Sequence, residues 1–581
     1  MNLPSTPNKK MNYVWLAVCF VLTLPAIFVS LKSSVDLYHE GAIFPSIVGV
    51  SNGRAIFTEV NNQYGFVIAL ISYPAMTLFG NYLLVSRLVG LSVYLLVLLL
   101  FFVITKKIAN SFIASFGVLI LVSINPAWSF LSQKDITGLS VWVNTYGILF
   151  SLISIYLVFR MIDNPNISFM VYALAGGISL LSFFVRPQFA FVWLSQGLYL
   201  AYHFKTVPFR RSPAKNWFFG GLICFLLGFT YLFNQKVLKD YHQQIFSVWF
   251  QSAPNSAHLG LGNVLNFAAS CLLFGVCILI VYSVLRLSGS KVISVLFVLL
   301  FVKVLENVLK SINELSVINQ KIGPYIATAI HGLFFNYASA LVLFLVIVLI
   351  YSFLSKFDSF SRFSGFRLDG SSIKSNFLFA TSLGTLPQLH NVNSAYIYMV
   401  IPIVLAWFIS YFYDRKVSLL VNKKNLILAV YVTFSILIGI SIVNSLILAS
   451  KPQHPYRSVI LQGLNDTNLL ERNRIDSNFK VLEMHVKDGQ MFMDCQFGLY
   501  SISPTGLYVA NKWTWNEIPQ DWRISSLREA NPGNFLLWCG GDKNAQQQYL
   551  AWSKNSTISL IEQNNNFLLY EINKPLLFKL D

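Results

Sequence analysis

Apolar runs close to twenty residues long recur from the N-terminal region to about residue 449, separated by short polar stretches. A helix of that length crosses a hydrocarbon core of roughly 30 Å. The runs are too long for buried strands, which end after about four to eight residues. The pattern predicts about thirteen spans, at 13–31, 82–104, 111–126, 139–159, 168–185, 187–204, 217–233, 264–286, 292–309, 334–355, 376–389, 396–413 and 426–449. The stretch 64–80 is moderately apolar but interrupted by Pro74, and is expected to lie at the interface. One more crossing there would carry every later loop to the wrong side of the membrane.

From residue 451 the pattern changes. Short apolar runs at 479–486, 534–538 and 567–572 are separated by Gly, Asn and Pro, which predicts a small α/β domain. The expected fold is an all-α polytopic membrane domain over 1–450, followed by an α/β domain over 451–581.

Charge fixes the orientation. The loops that hold Lys9, Lys10, Lys106, Lys107, Arg160, Lys205, Arg210, Arg211, Lys215, Lys374, Lys423 and Lys424 alternate with loops poorer in base. By the positive-inside bias the N-terminus is cytoplasmic. An odd number of spans then places 451–581 outside, with 32–81 as the first outer loop. Only 11% of the 581 residues are charged, against about a quarter in soluble proteins, which excludes a soluble enzyme. The net charge of +18 falls mainly between the apolar runs. It serves topology and contact with membrane lipid headgroups, and no nucleic-acid partner is expected. No GxxxxGK[ST] or HExxH motif occurs, which argues against an ATP-driven pump and a zinc protease. Cys495 and Cys539 lie in the outer C-terminal part, where an oxidising compartment would allow a disulfide.

Acidic residues are scarce, 24 in all, and several gather in the first outer loop: Asp36, Glu40 and Glu59. Asp36, His39 and Glu40 stand at i, i+3 and i+4, so a helical turn would put them on one face. A carboxylate beside apolar walls has a raised pKa and suits general-base work. Spacing alone leaves two plainer alternatives: Asp36 as a helix cap and Glu40 as a solvated loop charge.

The stretch Asp36-Leu-Tyr-His39-Glu40-Gly, followed by Gly53-Arg54-Ala-Ile-Phe-Thr-Glu59-Val-Asn-Asn-Gln-Tyr64-Gly65, resembles the first outer loop of GT-C glycosyltransferases. The pair Lys106-Lys107, the outer Arg186-Pro187 and the segment Gly384-Thr-Leu-Pro387-Gln-Leu-His390 fit the same layout. Span count and outer C-terminal domain resemble the bacterial aminoarabinose transferases of lipid A and, more loosely, the protein O-mannosyltransferases. The likeness covers the membrane part by layout and some forty residues by motif. In those transferases the loop acid is usually the first of an Asp-Glu pair. Here that position reads His39-Glu40, with Asp36 one turn upstream, so both carboxylates remain candidate bases and Glu40 is favoured.

The resemblance implies an inverting glycosyltransferase of a bacterial inner membrane. Its donor would be a polyprenyl-phosphate-linked sugar, and its acceptor a cell-envelope glycan or lipid on the outer side. Arg54, Arg87, Arg186, Lys236 and Lys239 are the candidates for holding the donor phosphate, with an interfacial anchor as the alternative role for each. His39, Glu59, Tyr64, Asp135 and His390 would serve the acceptor or support the site. The sequence names no cofactor; a divalent cation held by His39 and His390 with the acids is an open alternative that no dense ligand spacing demands. The rivals are a glycolipid flippase or transporter, which predicts functional charges deeper in the helices, and an O-antigen polymerase or ligase centred on a later outer loop.

Overall fold

The computed structural model describes residues 40–53, 55–57, 62, 64–109, 111–123, 143–164, 168, 170–205, 212–242, 245, 373–385, 401–414, 484–485, 490–494, 508–509, 535–538, 554–555, 557–563 and 568–573. The predicted spans 13–31, 264–286, 292–309, 334–355 and 426–449 lie outside these residues. The others each fall on a described helix or helical hairpin arm.

Helices α1 (Glu40–Ser51) and α2 (Val67–Phe79) precede α3 (Leu83–Ile108), α4 (Ser111–Ser123), α5 (Val143–Asp163) and α6 (Met170–Leu181). Two 3-10 turns, Ser182–Phe184 and Pro187–Phe189, lead into α7 (Ala190–His203). Then come α8 (Pro213–Asn234), α9 (Leu238–Tyr241), α10 (Ile373–Thr385) and α11 (Ile401–Asp414). Among the described residues three stretches are long and apolar enough to cross a membrane: Leu83–Ile108, Asn144–Asp163 and Pro213–Asn234.

Helix α8 begins earlier than its apolar run because Ser212 caps it: the Ser212 hydroxyl accepts from the Lys215 amide, and Pro213 supplies a helical φ at the first position. Helix α3 runs past its apolar stretch through Thr105, Lys106 and Lys107. Lysines in the last turn favour the negative end of the helix dipole and reach toward the headgroup level.

Small residues set the tightest packing. Helices α6 and α8 approach until a Cβ on Gly176 would stand 2.2 Å from the Trp217 carbonyl oxygen. A Cβ on Gly220 would stand 1.8 Å from the carbonyl oxygen of Ala173. Such backbone-to-backbone approach is how helices associate in lipid, where apolar burial gives no advantage over contact with acyl chains. The opposite face of α8 stays apolar and open, with Leu222, Leu226 and Leu227 exposed, as expected of a lipid-facing surface.

Among the described residues of the C-terminal part, five strands form one sheet: β1 (Gln490–Asp494), β2 (Tyr508–Val509), β3 (Phe535–Trp538), β4 (Ile558–Gln563) and β5 (Leu568–Ile572). Their order is β2-β1-β3-β5-β4. Strand β1 pairs parallel with β2 and β3, whereas β5 runs antiparallel to β3 and β4. A register shift between Leu560 and Glu562 bulges the edge strand β4, which discourages edge-to-edge pairing. Strands β3 and β5 coincide with the apolar runs 534–538 and 567–572.

One tight and one looser glycine of this contact, Gly220 and Gly177, allow a direct check. Gly220→Ala should lower the stability of the purified protein by about 1–3 kcal/mol, because α6 and α8 must separate. Gly177→Ala should be close to neutral: its Cβ meets the Gly220 carbonyl oxygen at 3.1 Å, and the gain of roughly 0.5–1 kcal/mol in helix propensity offsets the small shift. Thermal unfolding in detergent measures both. Equal effects would contradict the packing described.

Candidate active site

Side-chain contacts define two ends of the helix bundle. At one end Asp163, closing α5, accepts from Lys107 at 2.6 Å and also pairs with Lys374 at the start of α10. The Tyr199 hydroxyl in α7 donates to the Ile373 carbonyl there at 3.2 Å. Lys106, Lys107, Arg160, Lys205, Lys215 and Lys374 therefore share this end, in keeping with the alternation read from the loops. Asp163 and its two lysines tie together α3, α5 and α10.

The opposite end holds the starts of α3 and α5 and the turn between α6 and α7. There Arg186 Nη1 donates to Asn144 Oδ1 at 3.0 Å. Arg186 is 1% exposed and Asn144 fully buried. Arg87, one turn into α3, is also fully buried. A long cationic side chain that merely anchored the helix at a headgroup would leave its tip in water. Both arginines are instead buried.

The segment leading into α2 is seated on this end. The Gly65 amide donates to the Val185 carbonyl at 3.0 Å, and a Cβ on Gly65 would fall 1.5 Å from the Phe184 carbonyl oxygen. Only glycine allows this approach. Next to it the Tyr64 amide donates to Asn62 Oδ1 at 3.1 Å, and Tyr64 is buried. The rings of Phe66, Phe184, Tyr231 and Tyr241 pack together, and the Phe57 ring stands edge-on to Tyr241 at 5.2 Å. Phe57 adopts a φ of 75°, an unusual conformation for a bulky residue; its ring contact with Tyr241 holds it there. Burial pushes the Tyr241 hydroxyl pKa up.

Helix α2 begins and ends at this same end, since Gly65 touches the α6–α7 turn and Gly80 leads directly into α3. Its thirteen residues span only about 20 Å, so it cannot cross. It buries Ile68, Ala69, Ser72 and Met76 and exposes Leu70, Tyr73, Leu78 and Phe79. An apolar outer stripe on a helix that lies across the bundle end suits the membrane interface. Helix α1 is tied alongside: Ser51 Oγ donates to Asn81 Oδ1 at 2.5 Å, and Asn81 Nδ2 donates to Asn52 Oδ1 at 2.8 Å. Strand β2 of the C-terminal sheet also lies against α1.

Glu40 is the first residue of α1. A carboxylate in that position favours the positive end of the helix dipole. Asp36, His39, Arg54, Glu59, Asp135 and His390 lie outside the described residues. Lys236 and Lys239 are exposed at the corner between α8 and α9, Lys236 with a left-handed φ of 58°. The same end thus holds Arg87, Arg186 and Tyr64 inside, and Lys236 and Lys239 on its surface. Among the described residues no three His, Cys, Asp or Glu side chains converge as a metal site would require.

A second polar group was not among the expected site residues. Gln196 in α7 is fully buried and bonds to side chains of α5, α6 and α10. The available signal was an amide well inside the apolar run 187–204, the second there after Gln188 at its start.

No protein-family profile matches the sequence, and no curated protein matches it. Among solved structures, the chain is similar to ArnT from Cupriavidus metallidurans bound to undecaprenyl phosphate, at 12% identity and a TM-score of 0.38, over 96% of this chain and 97% of that one. The same enzyme in the apo state gives 11% identity and a TM-score of 0.39, with 96% and 98% covered. The Archaeoglobus fulgidus oligosaccharyltransferase in complex with zinc and sulfate gives 11% and 0.46, over 96% of this chain and 73% of that one. TM-scores this low carry no weight for a shared fold or function.

Gly65→Ala should lift the first outer loop off the α6–α7 turn. Limited proteolysis between residues 52 and 66 should speed up by about tenfold, equivalent to ~1.4 kcal/mol of lost docking. An unchanged cleavage rate would mean that the Gly65–Val185 contact does not hold the loop.

Proposed function

We propose that this protein is an inverting membrane glycosyltransferase. It takes a sugar from a polyprenyl-phosphate donor and passes it to a cell-envelope glycan or lipid on the outer side of a bacterial inner membrane. The observation that carries this reading is the burial of Arg87 and Arg186 at the bundle end where the first outer loop sits and where α1 begins with Glu40. Two buried guanidinium groups are expensive in a bilayer and are kept where an anion must be stabilised.

The chemistry follows from that pairing of charges. A loop carboxylate, Glu40 or Asp36, accepts the proton of the acceptor hydroxyl. The hydroxyl oxygen attacks the anomeric carbon from the face opposite the phosphate. The carbon–oxygen bond to phosphate breaks with inversion, and polyprenyl phosphate leaves with the electron pair. Charge grows on the phosphate oxygens in the transition state, where fixed guanidinium donors contribute most. Arg186, already bonded to Asn144, presents a planar donor fork suited to a phosphate. Lys236 and Lys239 are exposed and serve better to attract anionic lipid at the surface than to contact the reacting atoms. Arg54 is a further donor-phosphate candidate. Tyr64, His39, Glu59, Asp135 and His390 line or support the acceptor side. In this reading residues 451–581 form an outer domain whose β2 edge, beside α1, covers the acceptor approach.

Purified protein in lipid nanodiscs, given a panel of radiolabelled polyprenyl-phosphate sugars, tests the proposal. The parent should transfer label from one donor. Either Glu40→Gln or Asp36→Asn should cut the rate by about 10²–10⁴-fold, the usual range for a general base. Arg186→Lys should lose on the order of 10²-fold, because an ammonium cannot reproduce the fork. No transfer from any donor, with glycolipid crossing liposome bilayers instead, would replace this reading with a flippase.

A further inference from the structure

Gln196 is fully buried in α7 and joins three other helices. Its Oε1 accepts from Ser179 of α6 at 2.7 Å and from Ser154 of α5 at 3.4 Å. Its Nε2 donates to Thr381 of α10 at 3.3 Å. Ser154, Ser179 and Thr381 are themselves fully buried.

Helix α5 and the segment from Arg186 through α7 run side by side in the same direction, away from the end that holds the first outer loop. Two rungs join them: Arg186 to Asn144 at that end, and Gln196 to Ser154 deeper in the bundle. Both rungs connect residues 42 apart in sequence. They are therefore in register, each ten residues from the other along its own strand of the pair (186 to 196, 144 to 154). The Ser179 bond adds the other arm of the α6–α7 hairpin. Below the Arg186 tip, then, one amide fixes both arms to α5 and locks the whole to α10.

We infer that Gln196 is a positioning residue: through its bonds to Ser154, Ser179 and Thr381 it sets the register in which the α6–α7 hairpin delivers Arg186 to Asn144. It touches no substrate. A sliding α6–α7 hairpin would carry Arg186 away from Asn144. An interhelical bond of this kind has no competing water in the bilayer, so its loss is not made good by solvent. The link from Gln196 to catalysis rests on the phosphate-binding role proposed for Arg186.

The test uses the full chain in nanodiscs, with Gln196→Leu and with Thr381→Val, which removes the Nε2 acceptor together with the hydroxyl's own bond to the Phe377 carbonyl within α10 and keeps the side-chain shape. Amide hydrogen exchange over residues 182–189 reads the hairpin tip without any substrate. It should quicken by about tenfold in Gln196→Leu and by less in Thr381→Val. Binding of undecaprenyl phosphate, followed by tryptophan fluorescence, should weaken about tenfold in Gln196→Leu. In an Arg186→Ala background the same substitution should weaken binding no further, although it still lowers the melting temperature. Unchanged exchange at 182–189 in folded Gln196→Leu would overturn the inference, as would an additive loss of binding in the Arg186→Ala background. Faster exchange in a protein that binds no polyprenyl phosphate even as wild type would support the positioning role and remove the glycosyltransferase reading instead.

Discussion

The backbone contact between α6 and α8 is the constraint on which the described bundle rests. Lipid chains are as apolar as leucine, so two helices gain little by burying apolar surface against each other in a bilayer. They gain by approaching closely, and Gly176 and Gly220 permit that approach. Once the two backbones touch, Trp217 is fully buried, and its indole donates to the Trp193 carbonyl in α7 at 3.2 Å. Helix α7 is thus carried into place by α8, and the α6–α7 turn is drawn against the first outer loop. Phe184, in that turn, packs over Gly228 and beside Phe66. A chain of contacts runs from two missing side chains to the seat of the proposed catalytic loop.

The two ends of the bundle handle charge differently. At one end the basic residues lie within reach of water, and Asp163 with two lysines joins three helices at partly exposed positions. Pairs of that kind add modest stability and mainly align helix ends. At the other end the arginines are buried. Desolvating a guanidinium costs several kcal/mol on typical scales, and such a cost is kept where the charge has work to do. The proposed donor site rests on this contrast between wet lysines and dry arginines. It separates Lys236 and Lys239, which stay on the surface, from Arg87 and Arg186, although all four were donor-phosphate candidates in the sequence.

Much of the helical layout was legible because the bilayer imposes a simple rule: long apolar runs become helices. Helix limits were less legible. Lys106 and Lys107 continue α3 beyond its apolar stretch, and Ser212 with Pro213 starts α8 ahead of one, because caps and snorkelling lysines follow dipole and solvent, not hydropathy. Arg186 was legible as a charged residue beside Pro187 between two apolar runs. Its partner Asn144 was not, since nothing in a linear pattern indicates which distant residue a buried guanidinium will meet. Gln196 stood in plain view as an amide in the middle of an apolar run; its meaning depends on Thr381, 185 positions away. The left-handed Phe57 was equally hidden, since a non-glycine φ of this kind follows from tertiary packing against Tyr241. The acidic cluster of the first outer loop was legible as composition, and only Glu40 of it falls on a described element.

The Gln196–Thr381 bond has a consequence for how the protein is made. The partners on α5, α6 and α7 leave the ribosome long before α10 does. With synthesis at about 5–20 residues per second, the Nε2 group of Gln196 waits on the order of ten to forty seconds for Thr381. During that interval the groove that later receives Gly384, between the backbone of Phe191 and Val192 and the Ser195 hydroxyl, has no occupant from α10. The polar contacts of the α5–α7 core are thus completed late, by a helix that arrives only shortly before α11.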